Sequence, residues 1–294
     1  MKNKGITVDI AVDCGRSEVK VVRYDNGRLF KTKFISYLSD DENTTLDEQI
    51  KLSREDYRLT VDGEKLFIGA VAGGAGENSR GITHDEKFNE DALKLIYAAI
   101  YAGGATSRVV INQIRLAICV PMENVAEEKE SFKKLIGTRH VVIDNVTGEE
   151  HEFDIVEVEV FGEGLVSAFA IPNYMMRELD NHLVGYLNIG SFKSNIGTFF
   201  YRGNKAEYQD KYSGSLNGIG MQEAIKNGTE GSLVKSAMTR LNSKFHWNEK
   251  FVDVRDARRE KGSKIVLCGG AASALEKDFS EAFSADGRNN KAEV

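Results

Sequence analysis

The stretch VDCGRSEVKVV at residues 12–22 decides how this chain is read. Residues 6–12 and 19–24 are alternating or β-branched, and the polar Asp13-Cys14-Gly15-Arg16-Ser17 between them holds the glycine a tight reversal needs. The chain therefore opens with a β-hairpin. The pattern returns in LNIGSFKSNIGTF at 187–199, where an apolar strand again ends in Asn-x-Gly and restarts after a small polar turn. A third apolar strand, 264–268, ends in Gly269-Gly270 at the start of a predicted helix. Glycine lets backbone amides come close to phosphate oxygens, and a helix start adds donors and a favourable dipole. Three such loops can converge on one phosphate chain, with Lys20 adding a positive charge.

Outward from the first hairpin, residues 28–38 and the pair 57–61 and 65–71 around Asp62-Gly63-Glu64 predict further strands, and the acidic 40–48 run a surface loop. Over residues 89–102, Ala92, Leu93, Leu95, Ile96, Ala99 and Ile100 make one broad apolar stripe, which predicts a core-facing helix. A strand over 114–120 stops at Pro121, a charged helix follows over 123–136, and a strand pair covers 139–144 and 152–161. Residues 163–183 read as helix in two pieces broken at Pro172, because proline lacks a donor and clashes with the preceding turn. After a second hairpin at 185–201, helices are predicted near 215–227, 230–245 and 249–260. Short strands alternating with longer helices indicate an α/β protein.

These residues resemble the actin-type nucleotide-binding fold shared by actins, sugar kinases and heat-shock chaperone ATPases. Asp13-x-Gly15 with Lys20 is similar to the first phosphate loop, Asn188-x-Gly190 to the second, and Gly269-Gly270-Ala271 to the adenosine motif. Within that superfamily the chain is most similar to the plasmid-segregation actins, the ParM-like group. The stretches are FIGAVA at 67–72, KFNEDALKLIYAAI at 87–100, AICVP at 117–121, VFGEG at 160–164 and VLCGGAASALEKDF at 266–279, in the family's order. The resemblance implies an α/β, actin-like ATPase fold: two lobes of mixed sheet and helices around a nucleotide cleft. Residues 1–184 would form the first lobe (subdomains IA and IB) and 185–294 the second (IIA with a reduced IIB).

It also implies roles. Asp13 would hold a nucleotide-bound magnesium through water, Gly15, Arg16 and Ser17 would supply loop contacts, and Lys20 would reach the phosphates. Gly190, Ser191 and Phe192 form the second loop, and Gly269, Gly270 and Ala271 would meet the adenosine. Glu223 and Lys226 would border the purine. Glu163 in VFGEG would orient the attacking water, and Asn188 is the second catalytic position. Phosphoryl transfer asks the protein mainly to position reactants and offset charge, so one placed carboxylate can suffice.

The chain departs from the family at Asn188 and Asn195, where the second loop normally carries Asp. An amide has no charge with which to hold magnesium or polarise water, so slow hydrolysis is expected. The interval from Asn188 to Gly269 is short for a full subdomain IIB, and the sequence stops at Val294, soon after the adenosine helix. The function implied is an ATP-binding protein, with GTP as the alternative, that forms ATP-driven filaments for plasmid DNA segregation through a DNA-binding adaptor. The competing readings on the same fold are a small-molecule kinase and a non-polymerising regulatory ATP-binding protein.

Composition narrows this independently. A net charge of −6 argues against direct coating of nucleic acid, which needs basic residues facing phosphates. No apolar run approaches the ~20 residues of a membrane span, and no signal-peptide core opens the chain, which predicts a cytoplasmic protein. Cys14, Cys119 and Cys268 lie far apart in apolar segments and read as buried thiols. The five histidines show no metal-ligand spacing.

Overall fold

The computed structural model describes residues 3–25, 27–40, 52–74, 78–82, 86–169, 179–203, 205–228, 232–245, 263–269, 272 and 275. Packing divides the chain into two compact units, Met1–Val120 with Asn124–Phe161, and Pro121–Glu123 with Gly162–Val294. The partition at 184/185 follows the lobes implied by resemblance; by packing, residues 162–184 go with the second unit.

The first unit starts with the expected hairpin, β1 (Asn3–Cys14) and β2 (Glu18–Asp25), with Asp13 opposite Lys20. There follow β3 (Arg28–Ile35), β4 (Tyr37–Asp40), β5 (Tyr57–Val61), β6 (Glu64–Ile68), the short α1 (Ala70–Gly73) and β7 (Arg80–Gly81). Then come α2 (Glu90–Ala102), β8 (Val110–Val120), α3 (Val125–Phe132), β9 (Arg139–Asp144) and β10 (Glu149–Gly162). The strands form one sheet in the order β3-β2-β1-β8-β10-β9-β5-β6-β4-β7. β8 runs parallel to β1, so the first strand of the hairpin has an antiparallel neighbour on one side and a parallel one on the other.

Helix α2 forms where its stripe predicts. The Asn89 side chain accepts from the Ala92 N–H at 2.9 Å, Glu90 and Asp91 occupy the first turn, and Ala92, Leu95, Ile96, Ala99 and Ile100 are fully buried. The cap satisfies a donor the first turn leaves unpaired, and the acids complement the helix dipole. The helix packs on β1, β2, β5 and β9.

Two boundaries depart from the pattern-based reading. The single strand expected over 28–38 is split at Ser36, which leaves the ladder to bond the loop after β1. The strand expected over 65–71 stops at Ile68, since Gly69 at φ +107° turns the chain into α1.

The second unit holds α4 (Val166–Phe169), β11 (Leu183–Ile189), β12 (Lys193–Arg202), β13 (Lys205–Tyr208), β14 (Gly214–Asn217), α5 (Met221–Asn227), α6 (Leu233–Phe245) and β15 (Ser263–Cys268). Its sheet runs β13-β12-β11-β15, with β14 on β12. β15 is parallel to β11 and β12 antiparallel, which repeats the β2-β1-β8 arrangement of the first unit. β11 is buried on both faces: Leu187 and Ile189 join one apolar cluster, Val184 and Tyr186 another. This is the period-two consequence of a central strand.

The helix expected near 215–227 is corrected at its start. Residues 214–217 are a strand held by β12, and helix begins only at Met221. The helical reading of 163–183 likewise ends early, because Leu183 already belongs to β11. The break at Pro172 and the helix at 249–260 lie outside the described residues; of the adenosine-motif helix, Ala272 and Leu275 are described, helical and buried. Among the described residues no helix is long and apolar enough to cross a membrane.

Candidate functional site

β1 delivers Asp13 and Cys14 to the turn Gly15-Arg16-Ser17, and β2 leads away from Glu18. The Gly15 N–H donates to the Glu18 carbonyl at 3.1 Å, and a Cβ on Gly15 would stand 2.8 Å from that oxygen. The close approach demands glycine. The carbonyls of the turn are tied back into the unit: Lys87 Nζ donates to Cys14 O at 2.6 Å, Ser36 Oγ to Gly15 O at 2.6 Å, and the Ser36 N–H to Ser17 O at 3.1 Å. Lys87 is buried, and its N–H and that of Phe88 both donate to the buried Glu128 carboxyl. Burial pushes that carboxyl up against the opposing pull of the two N–H groups. Lys20 faces Asp13 across the hairpin, Nζ 3.4 Å from Oδ2, with both side chains partly exposed.

The second unit builds the same turn. The Gly190 N–H donates to the Lys193 carbonyl at 3.0 Å, and a Cβ on Gly190 would again stand 2.8 Å from the accepting oxygen. Here α5 supplies the brace: the Met221 N–H donates to Gly190 O at 3.0 Å and the Gln222 N–H to Ser191 O at 2.8 Å. A side chain on Gly220 would collide with the backbone of Ser191 and Phe192. Asn188 pairs with Cys268 of β15, and Gly269, at φ +95°, leaves no room for a Cβ beside the Asn188 side chain. The structure thus brings Asn188, Gly190 and Gly269 together. Gly270 and Ala271 lie outside the described residues. Lys226 is exposed in the last turn of α5; Glu223 is on the same helix, its side chain outside the described residues.

Glu163 follows β10, between Gly162 and Gly164. Asn195, on β12 opposite Asn188, donates through Nδ2 to Glu163 Oε2 at 2.8 Å. Ser215 Oγ lies 2.6 Å from Asn195 Oδ1 and also bonds Glu123, whose other oxygen is 3.3 Å from Lys193 Nζ. Burial works against ionisation of Glu123, but the Ser215 hydroxyl, a backbone N–H and Lys193 outweigh it and hold the carboxyl below its ordinary range. Glu123, Ser215, Lys87 and Glu128 gave no signal in the sequence, because each acquires its role from a partner 20 or more positions away.

Of the cysteines, only Cys14 is fully buried, and burial pushes its thiol up to about 12, with Lys87 opposing. Cys119 and Cys268 are half-buried, which corrects the expectation of three buried thiols.

The family described as actin-like proteins, N-terminal domain, matches residues 11–165, more than half of the chain. The chain belongs to the actin-like proteins. No curated protein matches this actin-like protein in sequence. Among solved structures it is similar to Ta0583, an archaeal actin homologue (18% identity, TM-score 0.72, covering 93% of this chain and 90% of that one). It is also similar to a non-polymerisable quadruple mutant of pCBH ParM (14%, 0.70, 97% and 94%). A third is the filament of AlfA from B. subtilis plasmid pLS32 (16%, 0.64, 98% and 92%). Ta0583 has been solved with ADP and an AlfA filament with AMPPNP. At these identities the likenesses establish the fold of this actin-like protein.

Proposed function

We propose that this actin-like protein binds ATP with magnesium and assembles into filaments that position plasmid DNA through a DNA-binding adaptor, hydrolysing ATP slowly. The observation that carries the reading is the pair of matched turns. Each unit of an actin-like chain presents a glycine turn closed by the same hydrogen bond, each flanked by a parallel strand, and each braced through its carbonyls. Each braced, glycine-closed turn by itself suits a phosphate group, with Lys20 adding charge beside the first.

Asp13 fits a nucleotide-borne magnesium. Its carboxylate is partly exposed and only loosely paired with Lys20, and among the described residues no group of three or more acids, histidines or cysteines makes a protein cage. Magnesium commonly takes one or two carboxylates together with substrate phosphates, where it neutralises their charge. Glu163 would accept a hydrogen bond from the attacking water and aim its oxygen at the terminal phosphorus. Asn188 would contribute hydrogen bonds without charge, which accounts for slowness.

Self-association follows from a head-to-tail contact that repeats without closing. The filaments of ParM from Clostridium botulinum and of AlfA are precedents in the same fold. Calorimetric titration with ATP and GTP, light scattering and electron microscopy with ATP or AMPPNP, and phosphate release test the reading. Filaments with slow release are expected. Binding and turnover by a protein that stays monomeric well above micromolar concentration would favour the kinase reading, and binding without either would favour the regulatory one.

A further inference from the structure

We propose that Lys87 is a positioning residue for the first phosphate turn: its buried ammonium holds the Cys14–Gly15 peptide from behind and finds its counter-charge in the polyphosphate of a bound nucleotide. The inference deepens the reading of this turn as a phosphate cradle and rests on it.

Lysine is seldom buried, because an ammonium taken out of water needs acceptors or an opposite charge. Lys87 is 3% exposed, and its Nζ donates to Cys14 O at 2.6 Å. Among the described residues no carboxylate forms an ion pair with that ammonium. Asp13 is turned to Lys20 instead. Glu128 of α3 also faces this segment, but its carboxyl accepts from the backbone N–H groups of Lys87 and Phe88 and not from Nζ. Burial dominates the Glu128 carboxyl and pushes it up, and the charge of Lys87 is the weakest of the influences that oppose it. A positive charge therefore stands behind the turn with its compensation incomplete.

One peptide unit carries the connection. Its oxygen, Cys14 O, accepts from Lys87, and its N–H, that of Gly15, donates to Glu18 O at 3.1 Å. Hydrogen bonds at both ends of one amide polarise it in the same sense, so the ammonium strengthens the bond that closes the turn. The next carbonyl, Gly15 O, accepts from the hydroxyl of the fully buried Ser36. A trans peptide points its N–H opposite to its carbonyl, so holding Gly15 O toward the interior aims the Arg16 N–H at the outer side of the turn. A phosphate on that side would meet an aligned turn with a positive charge behind it, and buried surroundings screen such a charge less than water does. Glu128 sets the point from which the lysine reaches: it holds two successive N–H groups just before the Asn89 cap of α2, and Phe88 packs edge-on against Phe132 of α3 at 5.2 Å.

The test uses the full chain, calorimetric titration with magnesium ATP, magnesium ADP and adenosine, and steady-state phosphate release. Lys87→Met keeps an unbranched stem and removes the charge. It is expected to weaken ATP at least about tenfold, ADP by less and adenosine by no more than about twofold, with KM for ATP raised and kcat within about twofold of the parent. Glu128→Gln turns one acceptor into a donor facing an N–H, and is expected to weaken ATP about threefold to tenfold by displacing residues 87–88. A loss shared equally by ATP, ADP and adenosine marks a general disturbance of the fold and overturns the proposal, as does parental ATP affinity in a folded Lys87→Met. Should Lys87→Met not fold, parental ATP affinity in Glu128→Gln overturns it. A parent that binds ATP no more tightly than adenosine instead removes the reading of the turn as a phosphate cradle, and the proposal with it.

Discussion

Gly15 and Gly190 each stand where a Cβ would come within 2.8 Å of the carbonyl that closes its turn. Alanine at either place must push the carbonyl strand away, opening the turn that would cradle phosphate. Gly15→Ala and Gly190→Ala are expected to weaken ATP binding at least about tenfold by calorimetry and to cost ~1–3 kcal/mol in stability, the usual range for overpacking. In the proposed function Glu163 contributes differently, because its carboxylate would act on water and not on the bound nucleotide. Glu163→Gln should leave ATP affinity near parental and lower single-turnover phosphate release by about 10²–10³, the common loss when one transition-state interaction is removed. Glu163 could not be ranked from its type alone: glutamate in a glycine-flanked turn is as readily a solvated surface residue, and the bond from Asn195 sets it apart.

Helix α2 and the turn between β5 and β6 are elements whose stability can be tested piecewise. Asn89→Ala removes the cap that accepts the Ala92 N–H, and urea unfolding is expected to show a loss of about 1 kcal/mol. In the β5–β6 turn, Asp62 bonds the His140 ring at 2.7 Å and the Val141 N–H at 2.9 Å, tying the turn to β9. Burial raises the Asp62 carboxyl, but these two donors outweigh it and hold the carboxyl below its ordinary value. A depressed folded-state value means the stabilisation is present above the ordinary aspartate pKa of about 3.9 and is lost as pH falls through the folded value. Asp62→Asn should therefore lower stability at neutral pH, and the gap to the parent should close as the pH drops below ~4; a gap that widens in acid would contradict the assignment. The positive φ of 47° at Asp62 is one that asparagine also tolerates, so the substitution removes the charge and one of the two accepting oxygens without adding backbone strain.

At the scale of the whole molecule, the two units repeat one plan, a hairpin whose first strand takes a parallel partner on its free side. A ligand that binds the folded chain and not the unfolded one stabilises it by mass action, about 2.7 kcal/mol at a hundredfold excess over Kd. ATP with magnesium is expected to raise the thermal midpoint in proportion to the logarithm of its concentration, and Gly190→Ala to shift that dependence to higher concentration. A midpoint indifferent to ATP and GTP alike would remove nucleotide binding from the account.

The sequence by itself determined the elements whose signals are local. Both hairpins and α2 could be read from alternation, turn glycines and a 3.6-residue stripe, since each is specified by residues within one or two turns of one another. The family was legible for the same reason, because its loops are contiguous motifs. Tertiary structure decided what depends on distant partners. Ser36 breaks an otherwise continuous strand because the loop after β1 needs its hydroxyl and amide, and residues 214–217 become a strand because β12 offers them a ladder. Glu123, Ser215 and Asn195 form a network with Glu163 across separations of 20 to 92 positions. Local patterning fixes which residues face inward, but hydrogen-bond partners between buried polar groups are chosen only when the strands that carry them are brought together.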